Sequence, residues 1–136
     1  MSAKELLKSV RTAERKYLLS KELAERARDK LCYKNPSLRD TQGGAASRGN
    51  TYEDNLVQLI ELDEQAKSDR TAYLVLKKRV LDLINSLDDV KEREVLIRHY
   101  FYYEKWEETA DKMSYSLRQI HNIHNKALTG ISKRLH

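Results

Sequence analysis

Apolar side chains recur at Leu6, Val10, Ala13, Tyr17, Ala24, Ala27 and Leu31, mostly three, four or seven positions apart, with charged residues between them. That spacing lines one side of an α-helix and predicts a single amphipathic helix from Ser2 to about Cys32. The period then stops. "YKNPSLRDTQGGAASRGN", Tyr33 to Asn50, holds the only Pro and three of the four Gly, and predicts a loop over 33–50. So long a stretch without a period is unusual inside a compact domain and suggests a mobile or functional segment.

A second stripe starts near Thr51 and runs through Leu56, Leu59, Leu62, Ala66, Tyr73, Leu76, Val80, Leu83 and Leu87. Its centre, "KSDRTA", is weak. Two long stripes joined by a loop predict a long antiparallel helical hairpin, coiled-coil-like, over residues 1–87. Two helices bury only a seam, so self-association into a four-helix arrangement, and hence a homo-oligomer, is expected.

The remaining block, 88–136, reads as three shorter helices. "DDVKEREVLIRHYFYY" opens with acids suited to a helix N-terminus and presents Val90, Val95, Leu96, His99 and Tyr100 as its inner side. "EKWEETADKM" is a short helix and "SYS" breaks it. "SLRQIHNIHNKALTGISKRL" is a longer one, with Gly130 as a candidate end or bend. The fold class is therefore all-α: an N-terminal hairpin over 1–87, then a helical C-terminal domain over 88–136.

Charge adds a second division. Residues 1–40 carry 11 Lys/Arg against 6 Asp/Glu, and residues 41–90 carry 6 against 9. From Lys112 onward there are five basic residues and no acid, within a chain of which 35% is charged. Lys133 and Arg134 could simply complement the negative end of a helix, but Arg118 stands near a helix start, where a cation is mildly unfavourable. An anionic partner explains the asymmetry better. One cysteine, Cys32, allows no internal disulfide and fits a reducing compartment. No apolar run approaches a membrane span and no signal-peptide pattern opens the chain, so a cytoplasmic protein with no membrane contact is expected.

The chemistry concentrates in "WEETADKMSYSLRQIHNI", acidic in its first half and free of acid in its second. A helix-turn-helix needs a small residue where its helices touch, a turn residue four positions later and a β-branched aliphatic six after that. Ala110, Ser114 and Ile120 have this spacing. Trp106, Ala110 and Met113 would form the inner face of the first helix. Ile120, Ile123, Ala127 and Ile131 would form that of the second, with Ser116 as its N-cap. Arg118, Gln119, His121, Asn122, Asn125 and Lys126 are left outward. Arg, Gln and Asn can pair with base edges in the major groove, while Lys112, Lys126, Lys133 and Arg134 can neutralise phosphate. The expected partner is double-stranded DNA. Glu107, Glu108 and Asp111 fall on the helix that crosses above the backbone, which accounts for the change of charge at "MSYS".

The block "LDDVKEREVLIRHYFYYEKWEETADKMSYSLRQIHNIHNKALTGISKRL" resembles region 4 of bacterial sigma factors. The likeness rests on "EREVL", "WEETADKM" and "SYSLRQIHNIHNKAL". With the hairpin before it, the whole layout is similar to small sigma-like regulators of phages and prophages, the ArpU/RinA-type late-gene activators. That resemblance implies sequence-specific control of phage or prophage transcription and makes RNA polymerase a further candidate partner. Thr109 stands where a sigma-like helix carries an aliphatic residue, and Ser114 where it carries Gly. Nothing resembles sigma region 2, so an accessory factor is implied rather than a complete sigma factor.

Two other readings share these features. A small terminase, the recognition subunit of DNA packaging, also joins a helix-turn-helix to an oligomerising hairpin. A sigma-like module could instead dock on RNA polymerase without touching DNA. His121 and His124 are three apart but lack further ligands nearby, so no metal site is expected. No phosphate loop, nucleophile elbow or Cys–His arrangement is present, and neither enzymatic activity nor a cofactor is expected.

Overall fold

The computed structural model describes residues 1–40 and 51–135, all helices, turns and caps; no strand occurs among them. Five helices follow in order: α1 Ala3–Asp40, α2 Thr51–Asn85, α3 Val90–Tyr100, α4 Trp106–Met113 and α5 Leu117–Arg134. No helix among the described residues is long and apolar enough to cross a membrane.

Helix α1 corrects the expected loop. It continues through residues 33–40, Pro36 included, where a loop over 33–50 was predicted. Its described end precedes the Gly43–Gly44 pair, and none of residues 33–40 is glycine. A single proline interrupts one backbone hydrogen bond and strains a helix without obliging it to stop. The remainder of that loop, 41–50, lies outside the described residues.

The chain forms two compact units, residues 1–13 with 74–136, and residues 14–73. The division expected at Leu87 differs from this one, because the first residues of α1 and the last of α2 belong with the C-terminal block. The reason is apolar burial. Leu6, Leu7 and Val10 from α1, Val80 and Ile84 from α2, and Leu87 just after it are all buried, alongside Val95, Leu96, Ile120, Ala127 and Ile131. Full burial of a Leu or Ile contributes roughly 1.5–3 kcal/mol by transfer, so these residues dominate the unit's cohesion.

In the 14–73 unit, contacts between α1 and α2 run in antiparallel order. Tyr17 stacks on Tyr73 with ring centroids 6.3 Å apart, and Arg28 pairs with Asp63 at 2.7 Å. The weak centre of the second stripe is bridged by polar groups: Asp69 is buried, accepts from Gln65 at 3.0 Å and lies 3.8 Å from Lys16. Leu18, Leu19, Leu23, Val57 and Ile60 remain exposed on the same unit.

In the larger unit, Asp89 caps α3 by accepting the Lys91 N–H at 2.9 Å. Val90 is 64% exposed and does not join the inner side assigned to it, since it lies nearly half a turn from the face made by Val95, Leu96, His99 and Tyr100. Gly130 neither ends nor bends α5, which runs on to Arg134. A Cβ on Gly130 would stand 2.7 Å from Leu87 Cδ2, so this glycine permits close packing inside a helix.

Candidate nucleic-acid interface

Three residues, Ser114–Ser116, connect α4 to α5. Ser114 is left-handed, with φ 60° and ψ 42°. The Ser114 N–H reaches the Asp111 carbonyl at 3.3 Å and the Tyr115 N–H reaches the Ala110 carbonyl at 3.0 Å, the bonding of a Schellman motif. Tyr115 packs on the cluster of Val95, Ala110 and Ile120, joined by Trp106, Met113 and Ile123. Serine in this conformation costs roughly 1 kcal/mol that glycine would avoid. Ser116 then caps α5: its Oγ accepts the Gln119 N–H at 3.2 Å, and Gln119 Oε1 accepts the Ser116 N–H at 2.8 Å. Both helix ends at the turn are thus satisfied locally, which fixes where α5 begins.

Helix α5 buries Ile120, His124, Ala127 and Ile131. Opposite them, at helical spacing, lie Arg118, Asn122, Asn125, Lys126 and Lys133, all exposed. No carboxylate shares that face, because α5 contains none. Gln119 is exposed at the edge of the face, and the cap occupies its amide oxygen. His121 is exposed at the other edge, 5.1 Å from the Trp106 ring.

Besides Gln119 in the cap, two more of the nine predicted contact residues are engaged by hydrogen bonds within the protein. Lys112 Nζ donates to Glu104 at 2.8 Å. Arg134 donates to the Gly130 carbonyl at 3.1 Å and to the Ser86 carbonyl at 3.0 Å, holding the end of α5 against the residue that follows α2. Arg118, Asn122, Asn125 and Lys126 are brought together on α5; Lys112 and Arg134 are not among them.

Sequence reasoning missed the buried carboxylate of Glu104. It is buried between α3 and α4, and accepts from Thr109 Oγ1 at 3.1 Å, Lys112 at 2.8 Å and Arg98 Nη1 at 3.2 Å. Burial pushes its pKa up, but the hydrogen bonds from Lys112 and Thr109 and the charges of Lys112 and Arg98 outweigh it, so the carboxyl sits below its ordinary range. Thr109, fully buried, has its polar partner here, and a hydroxyl at an inner-face position is the signal that could have pointed to a buried acceptor.

Behind the α5 face lies a cluster of rings. His99 stacks on Trp106 with centroids 3.6 Å apart, and its Nδ1 lies 3.1 Å from the Glu104 carbonyl. His124 Nε2 and the Tyr100 hydroxyl are 2.8 Å apart in the interior. Burial, then the charges of His99, Lys4 and His121, depress the His124 pKa to about 4. Burial raises the Tyr100 phenol to about 12. His124 is thus a neutral core hydrogen-bonding group. Among the described residues no cluster of three or more His, Cys, Asp or Glu side chains could hold a metal ion. The "HYFYY" segment ends α3 and turns into α4 through Tyr103, left-handed at φ 58°, under the Arg11 guanidinium at 4.4 Å.

Comparison of the chain with family models, with curated proteins and with solved structures finds no match in any of the three.

Proposed function

We propose that this protein is a sequence-specific double-stranded DNA-binding transcriptional regulator. In this reading α4, the Ser114–Ser116 turn and α5 act as a helix-turn-helix of sigma-region-4 type. The observation that carries it is the exposed face of α5, where Arg118, Asn122, Asn125 and Lys126 stand together on a helix that contains no carboxylate. Arg118 and Asn122 read base edges, Asn125 lies beside them, and Lys126 and Lys133 hold phosphates. Gln119 retains its amide nitrogen for an acceptor while its oxygen keeps the cap. Lys112 and Arg134 serve the scaffold instead. Regulation of phage or prophage genes rests on the sequence resemblance alone. Self-association through the 14–73 unit draws support from its exposed leucines and isoleucine.

The test is fluorescence-anisotropy titration of a random duplex pool at about 50 and 200 mM salt, where release of counterions from several phosphates weakens binding by orders of magnitude. Arg118→Ala should lose selection from the pool, at a cost of about 1–3 kcal/mol for the favoured site. Binding that ignores both salt and Arg118 would refute the reading.

One observation favours a second reading, docking on a protein such as RNA polymerase without DNA contact. Val90 and Tyr102, 64% and 63% exposed, border an open cleft with Asn85, Arg93 and Ile97, and Arg93 Nε is buried there without a hydrogen-bond partner. Salt-insensitive capture by polymerase with no DNA shift would select it.

A further inference from the structure

We propose that Lys4, Lys8 and Arg11 form a second phosphate-binding strip, which holds the backbone of duplex DNA beside the base pairs met by α5; this rests on the DNA-binding reading above. The three cations recur four and three residues apart, so they share one face of α1. That face lies beside the buried side made by Ala3, Leu6, Leu7 and Val10. All three are exposed, and none has an ion-pair partner among the described residues. The one acid in residues 1–13 is Glu5, which is occupied at the helix start by the Ser2 N–H at 2.9 Å.

Position distinguishes this strip from an ordinary solvated face. It belongs to the same compact unit as α5. Arg11 lies 4.4 Å over the Tyr103 ring, a contact that orients the guanidinium without neutralising it. Tyr103 keeps a left-handed backbone there, a strained conformation of the kind that gathers at functional sites. From the edge of the α5 face a series of ring contacts runs through His121, Trp106 and His99, with centroid separations of 5.1 and 3.6 Å. Burial first, and then the charges of Lys4, Lys8 and Arg11, disfavour protonation of His99 at the end of that series. Seven residues of helix span roughly 10 Å. Over that length one DNA strand presents about three phosphates, at roughly 3.4 Å of axial rise each.

The experiment is the salt dependence of duplex binding by the full chain and by the double variant Lys4→Gln, Lys8→Gln, with circular dichroism to verify that both are folded. Arg11 is left in place because of its contact with Tyr103. The slope of log affinity against log salt should fall by about two, and affinity should drop alike for selected and random duplexes. An unchanged slope, in a chain whose binding still depends on Arg118, overturns the strip and leaves the α5 reading intact. A parent chain that binds no duplex overturns both.

Discussion

The buried imidazole of His124 gives the molecule a pH dependence that can be assigned to one side chain. In the unfolded chain the ring titrates near 6.5, and in the folded protein near about 4. Between those values the unfolded state holds more protons, so this contribution is complete above pH 6.5 and is lost as pH falls through about 4. Its size is roughly 3 kcal/mol. His99, also depressed, adds in the same direction, with burial and then Lys4, Lys8 and Arg11 as opposing causes. Urea unfolding at pH 7 and pH 4.5 should show the loss, and His124→Gln should remove most of the pH-dependent part. An equal pH dependence in that variant would mean that carboxylates, Glu104 among them, dominate acid unfolding.

Among elements, the join between α3 and α4 turns on the Glu104 carboxylate and its three donors. Lys112→Ala removes one of them from a half-exposed position and leaves Thr109 and Arg98 in place. Stability should fall by about 1 kcal/mol, with the salt slope of DNA binding unchanged. A reduced slope with unchanged stability would return Lys112 to the phosphate contacts. The helices themselves were largely legible in the chain. The limits of α4 and α5 follow from period, the break at "SYS" and the Ser116 cap, all local signals. The continuation of α1 through 33–40 was not legible, because Pro36 signals a break that a single proline does not oblige. Arg118, Asn122, Asn125 and Lys126 could be placed from helical spacing on α5. The roles of Glu104, Lys112 and Arg134 depend on which helix lies opposite, and spacing within one segment does not contain that.

Over the whole molecule, the hairpin stripes divide between two environments. Near α1's start and α2's end they are buried within the C-terminal block, whereas the 14–73 unit leaves Leu19 and Ile60, 60% and 51% exposed, among several large apolar side chains in water. Large apolar side chains left in water on a two-helix unit favour self-association. Light scattering after size exclusion should therefore give a mass above the 16.0 kDa monomer, and Leu19→Glu with Ile60→Glu should reduce it to the monomer. A monomeric parent chain would remove the hairpin from the account of assembly.

The larger unit is built from residues 1–13 and 74–136, with an entire second unit inserted between its parts. During synthesis the inserted residues are complete once Tyr73 is made, but the first helical turns must wait for partners more than sixty positions away. Non-local pairing of this kind slows assembly and leaves apolar surface open in the interval. Leu6, Leu7 and Val10 thus leave the ribosome well before Val80 and Ile84, the residues with which they share a unit. A fragment beginning at residue 88 would lack them altogether. The smallest piece able to rebuild this core must join residues 1–13 to 74–136 by a new connection.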